Sequence, residues 1–236
     1  AKWQVTTPDT AANLSAVGYF FARELNQKTG VPVGIIFSAV GGTKAENWTS
    51  YETLQTMPSL VQPSNDIRSG AVNMEIATSP TALYNGMIAP VAPYKLKGVL
   101  WYQGESNWGE HRHNQALPKL IEDWRSTFNN NQLTFTIFQI SAFGTIQSED
   151  NPAQNDGNPG LPVIREAQLN TVLNDNRTTL VVTTDVGNPA DIHPTNKQDV
   201  GIRGAISVLG KFYNQPVVYS GPIYHSMTTT GNAITL

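Results

Sequence analysis

The stretch "DVGNPADIHPTNKQ" places His193 two residues after Asp191, with Asp185 shortly upstream, between an apolar run and a helical pattern. Near neutral pH an imidazole takes a proton from a hydroxyl, and a neighbouring carboxylate fixes its tautomer and steadies the imidazolium. Such a pair is the base half of a nucleophilic machine. The plainer alternative is an Asp–His surface pair capping the helix that starts near residue 197. Two further stretches could stabilise negative charge. "SAVGGTKAENW" sets Gly41 and Gly42 directly after a buried run, where backbone N–H groups bared by glycine can face a developing oxyanion. "WYQGESNW" offers the side-chain amides of Gln103 and Asn107 for the same task, with Glu105 as an orienting hydrogen-bond acceptor. Ser106 resembles the serine of a nucleophile elbow, but Trp108 stands where that motif requires glycine, so Ser106 reads first as a turn residue.

His111 and His113, beside Glu110, lack a third and fourth ligand at fixed spacing, so they read as a solvated face and no metal or other cofactor is expected. Trp101 and Trp124 read as core. Trp48 and Trp108 read as core too, with stacking on a sugar ring as the alternative because they lie in loops beside the other candidates.

These loops need a scaffold that gathers them. Residues 10–29 carry Leu14, Val17, Phe21 and Leu25 at helical spacing, with Gly30 as a stop. "VPVGIIFS" (31–38), "LKGVLWYQ" (96–103), "LTFTIFQIS" (133–141) and "TTLVVTTD" (178–185) are short runs suited to parallel strands covered on both faces. Helical patterns fill 115–128, 163–175 and 197–214, and Pro118 is tolerable only in a first turn. Residues 82–94 read as a short helix broken by Pro90 and Pro93, residues 51–80 as an irregular insertion, and 144–161 as a flexible loop. The alternation predicts an α/β domain over 1–214, a parallel sheet between helix layers, followed by the start of a β segment at 215–236. In such sheets ligands sit beyond the carboxyl ends of the strands, which is where these loops fall.

Composition excludes several alternatives. The 236 residues are 39% hydrophobic and 14% charged with a net charge of −3, so nucleic acid and anionic membranes are poor partners. Cysteine is absent, which removes disulfides and thiolate nucleophiles. Asn13, Asn47 and Asn176 sit in glycosylation sequons, a pattern compatible with a secreted or periplasmic protein.

The blocks "NLSAVGYFFARELNQKTGVPVGIIFSAVGGTKAENWTS", "LYNGMIAPVAPYKLKGVLWYQGESN" and "DIHPTNKQDVGIRGAISVLGKFYN" resemble the sialate O-acetylesterase family, carbohydrate acetylesterases of the SGNH-hydrolase type. The resemblance implies a flavodoxin-like three-layer fold and serine-dependent deacetylation of an acetylated carbohydrate, without metal. It makes His193 the general base and Asp191 its orienting carboxylate, with Asp185 as the alternative. Gly42 and Gln103 would line the oxyanion hole. The family's serine lies in a "GQSNM"-like motif ahead of the "SAVGYFF" helix, and no "GQS" or "GDS" occurs in these residues. The expectation is an internal fragment lacking the nucleophile-bearing strand, the serine coming from an N-terminal segment or a second polypeptide. Three other readings stay open: a non-catalytic sugar-binding module or inactive fragment of the same fold, a nucleophile drawn from Ser106 or Ser38, and, on fold grounds alone, a flavodoxin-like cofactor binder.

Overall fold

A computed structural model describes residues 2–69, 79–92, 94–144 and 160–236. Three parallel strands form the sheet in the order β1 (Gly98–Trp101), β2 (Thr134–Phe138), β3 (Thr178–Val181). Gly98 pairs with Thr134, and Phe135 with Thr178. Successive side chains point to opposite faces. Trp101, Phe135 and Ile137 face one helix layer, while Leu100 and Phe138 face the other.

The first layer is α5 (His113–Thr127) and α6 (Gly160–Asn174). Leu117, Leu120, Ile121 and Trp124 of α5 recur at helical spacing and meet the sheet with Trp48. The second layer is α2 (Ala16–Thr29) and α7 (Lys197–Phe212), behind the short α1 (Pro8–Ala11). Ser15 caps the start of α2 by accepting from the Gly18 N–H, and Gly30 ends it in the left-handed region at φ 70°. Phe21 and Leu25 pack on Ala205, Val208 and Leu209. The two helices touch closely at Gly201, where a Cβ would stand 2.7 Å from the Val17 carbonyl oxygen.

Several sequence expectations need correction. The apolar run at 31–38 belongs to no strand, since among the described residues no strand pairs with it. Among the described residues the edge of β1 away from β2 is likewise unpaired. Between the two lies a groove of about 1350 Å³, lined by Val33, Ile35, Phe37, Leu100 and Tyr102 among others. Residues 51–80 are not irregular throughout, since α3 (Tyr51–Leu54) and α4 (Pro58–Ser69) fill much of them. Residues 70–78 and 145–159, which hold parts of the two expected loops, lie outside the described residues. The loop expected over 144–161 ends earlier than that, because Gly160 and Leu161 already open the helix Gly160–Asn174. Pro118 sits within α5 beyond its first turn, since the helix begins at His113. The expected broken helix is a π turn at Tyr84–Ile88 running into a 3-10 turn at Ala89–Val91. Near the end, β4 (Thr228–Thr230) and β5 (Ala233–Thr235) form an exposed hairpin.

Candidate active site

Every candidate loop follows the carboxyl end of a strand or of the apolar run at 31–38. Gly42 turns the chain after residue 40 at φ 73°, with open space where a Cβ would be. Among the described residues no carbonyl accepts its N–H, so that donor is available. The turn is held from behind: Thr43 donates from Oγ1 to the Val40 carbonyl at 2.7 Å, and the Trp48 indole donates to Thr43 Oγ1 at 3.0 Å. Trp48 is therefore buried core, 4% exposed, and not a platform for a sugar.

The loop after β1 turns at Gly104, φ 150°. Gln103 reaches from it to the glycine loop, donating through Nε2 to the Thr43 carbonyl at 3.1 Å and to Asn107 Oδ1 at 2.8 Å. Both amide hydrogens are thus spent inside the protein, while Oε1 is buried without a partner. Asn107 is fully buried and fully bonded, which removes it as an oxyanion donor. Burial raises the pKa of Glu105, while nearby backbone N–H groups, Lys197 and His193 pull it down. Burial lowers that of Lys197, against the pull of Glu105 and Asp191. These four groups therefore feel one another at the same end of the sheet. Lys197 also stands 5.5 Å over the Tyr102 ring, whose hydroxyl meets Ser141 Oγ at 2.8 Å. Trp108 remains 36% exposed and packs edge-on against Phe143, so it stays available to a ligand.

The loop after β3 holds His193, the candidate base. Asp191 Oδ1 accepts the His193 backbone N–H at 2.8 Å and lies 3.4 Å from Nδ1 of the ring. The side chain is 86% exposed, and the ring nitrogen away from Asp191, Nε2, is the atom a general base uses on a serine hydroxyl. The helix-capping alternative fails, because Asn196 caps α7 by accepting from the Asp199 N–H. Asp185 is occupied elsewhere: Arg203 donates to both its oxygens at 2.6 Å, and this charge-assisted pair lowers its pKa. Gly187 locks this loop to its neighbour, since a Cβ there would run into the Ala142 backbone. No hydrogen bond joins His193 to Ser38 or Ser106 among the described residues, and Ser38 donates to the Met87 carbonyl at 3.3 Å.

Sequence reasoning passed over the charged cluster beneath these loops. Lys44, Glu46, Glu110 and Arg112 meet there, with Arg112 3.0 Å from both carboxylates and Lys44 2.7 Å from Glu110. The signal was the concentration of charge in two strand-end loops of a chain only 14% charged. Burial alone would raise the pKa of Glu110, but hydrogen bonds from Lys44, Asn107 and Arg112 outweigh it and leave the pKa lowered.

His113 was expected on a solvated face and is instead fully buried at the start of α5, with both ring nitrogens unpartnered. Burial lowers its pKa to about 4, against a weaker upward pull from Glu110. Between pH 6.5 and 4 the unfolded chain therefore binds a proton that the folded chain refuses. Stability from this group is complete above pH 6.5 and is lost as pH falls towards 4, a loss on the order of 3 kcal/mol. His113→Leu is expected to flatten the fall of the urea midpoint across that window, and an unchanged slope would show that another group sets it.

Residues 3–206 match the family described as "Carbohydrate esterase, sialic acid-specific acetylesterase". Human sialate O-acetylesterase is 32% identical over 227 residues, covering 89% of this chain and 42% of that protein. The mouse sialate O-acetylesterase is 30% identical over 244 residues, covering 89% and 45%. The crystal structure of a carbohydrate acetylesterase from Xanthomonas citri superposes with a TM-score of 0.79 at 34% identity, covering 96% of this chain and 48% of that one. The chain thus spans less than half the length of the curated relatives it matches.

Proposed function

The chain belongs to the sialic acid-specific carbohydrate acetylesterase family, and from that membership we propose that it carries the base and oxyanion hole of a serine O-acetylesterase acting on an acetylated carbohydrate. One observation supports this most. The His193–Asp191 pair and the unbonded Gly42 N–H lie at the carboxyl end of a sheet whose neighbouring edge is open. The groove between residues 31–38 and β1 takes a strand running parallel to β1, and the carboxyl end of that strand carries the nucleophilic serine.

In the reaction the serine Oγ attacks the acetyl carbonyl carbon as His193 Nε2 removes its proton. Asp191 holds the ring and steadies its positive charge. The carbonyl oxygen, now negative, is met by the Gly42 N–H. Gln103 joins it by exchanging its 3.1 Å bond to Thr43 for one to the oxyanion. The tetrahedral intermediate collapses as the imidazolium returns its proton to the sugar oxygen, which leaves as the alcohol. Water, deprotonated by His193, then releases acetate and restores the serine. Trp108, exposed at the rim, offers its ring to the sugar face.

Active-site labelling tests this reading. A fluorophosphonate applied to the complete natural protein is expected to modify one serine outside residues 1–236 and to stop acetate release from a per-O-acetylated sugar. Labelling of Ser38 or Ser106 would move the nucleophile into this chain and overturn the strand assignment. Absence of both labelling and acetate release would favour a non-catalytic sugar-binding module.

A further inference from the structure

Asn107 makes four hydrogen bonds whose directions can be read without ambiguity. The backbone N–H of Ala45 can only donate, so the atom facing it at 3.0 Å is the Asn107 carbonyl oxygen. The amide nitrogen then faces Glu46 Oε2 at 2.9 Å and Glu110 Oε2 at 2.8 Å, and it donates to both. This settles which way the next amide points. Since Asn107 Oδ1 is an acceptor, the Gln103 atom 2.8 Å from it is Nε2. The same Nε2 donates to the Thr43 carbonyl in the glycine loop. Turning the Gln103 amide over would set its oxygen against two acceptors. One backbone donor and two carboxylates therefore fix the polarity of a side chain they do not touch. The carboxylates are themselves anchored, by Arg112 to both and by Lys44 to Glu110.

We infer that Asn107 is a positioning residue that holds the Gln103 amide with its N–H side turned to the glycine loop, so that a donor and not an acceptor lines the oxyanion pocket. It also ties Ala45, at the end of that loop, to the loop after β1, and so keeps Gly42 and Gln103 in register. A buried amide with all four positions used has no hydrogen left for substrate, so its effect on catalysis runs through Gln103 alone. This assignment rests on the acetylesterase reading above for its kinetic consequence, though not for the amide orientation.

The test compares two replacements of the same residue. Asn107→Leu removes the acceptor that faces Gln103 and frees its amide to turn, whereas Asn107→Asp combined with Glu46→Gln and Glu110→Gln keeps that acceptor and receives amide donors from the two neutralised side chains. In the complete protein kcat for p-nitrophenyl acetate is expected to fall about 100-fold in Asn107→Leu, the scale of one oxyanion donor, with KM changed less than about two-fold. The triple variant is expected to keep at least ten-fold more of the wild-type kcat than Asn107→Leu, which a merely structural role would not produce. Exchange of the Gln103 side-chain amide protons, assigned by their absence in Gln103→Glu, reads the orientation without substrate: slow in wild type and in the triple variant, fast in Asn107→Leu. Folded Asn107→Leu with kcat within about three-fold of wild type, or a triple variant as slow as Asn107→Leu, would overturn the inference. If wild type releases no acetate at all, the acetylesterase reading fails, and the exchange rates still decide whether Asn107 orients Gln103.

Discussion

Replacing His193 by alanine in the complete protein is expected to lower kcat for p-nitrophenyl acetate by roughly 10³-fold or more, with the thermal midpoint held within roughly 2 °C. The two halves of that expectation have separate origins. The side chain is 86% exposed, so its removal takes nothing from the core. Its chemistry has no substitute nearby: His111 lies in another loop and His113 is buried in α5. The two neighbouring acids should then separate cleanly. Asp191→Asn loses the carboxylate that faces Nδ1 and is expected to cost roughly 100-fold or more in kcat. Asp185→Asn disturbs only the pair with Arg203 and is expected to change kcat less than about two-fold. Near-wild-type turnover by His193→Ala would remove the base from its assigned place. An inactive Asp185→Asn beside an active Asp191→Asn would reverse the choice of acid.

Gly104→Ala should be the most damaging single methyl group near the site. The backbone there is at φ 150°, a conformation L residues rarely adopt. The added Cβ would also lie 2.6 Å from Ile164 Cγ2 and 2.9 Å from Ile140 Cγ2, both in buried residues. Strained backbone costs about 1–3 kcal/mol and overpacking of a tight core about as much again. A combined loss of about 3–4 kcal/mol is a large part of a typical domain's stability. The damage would not stop at stability, because Gly104 joins Gln103 to Glu105 and its displacement drags the oxyanion side of the pocket. A urea midpoint and kcat both close to wild type would show that the loop has more room than these contacts allow.

The scaffold was legible where burial follows a simple period. Leu117, Leu120, Ile121 and Trp124 announce one face of α5, and the runs before Gln103, Ser141 and Asp185 end in the loops that carry chemistry. The same rule misled at residues 31–38, because apolar character reports what a segment can bury, whereas a strand also needs a neighbour's backbone. It misled again at 51–69, where polar residues and Pro63 hid a helix that buries only a narrow stripe, Leu60 and Ser64 among it. Site residues were legible by type but not by partner. The sequence sets Asp191 first with Asp185 as its alternative, but it does not show that Arg203 from α7 pairs with Asp185 while Asp191 faces His193. His113 shows the converse: its charged neighbours in sequence suggest solvent, while the helix turns it inward. The Asn107 network joins residues about sixty positions apart, a separation that no local pattern encodes.

The open edge of β1 has a practical meaning for anyone handling these 236 residues. On the acetylesterase reading, His193 beside Asp191 and the glycine loop held by Thr43 and Trp48 would be one half of a two-part device. Its seam would be the groove of about 1350 Å³ lined by residues 31–40 and by the residues of β1. A short synthetic strand bearing a serine at its carboxyl end would be the complementary half. Ester hydrolysis would then appear only where the two pieces meet, which makes this fold a natural frame for a split reporter of molecular proximity.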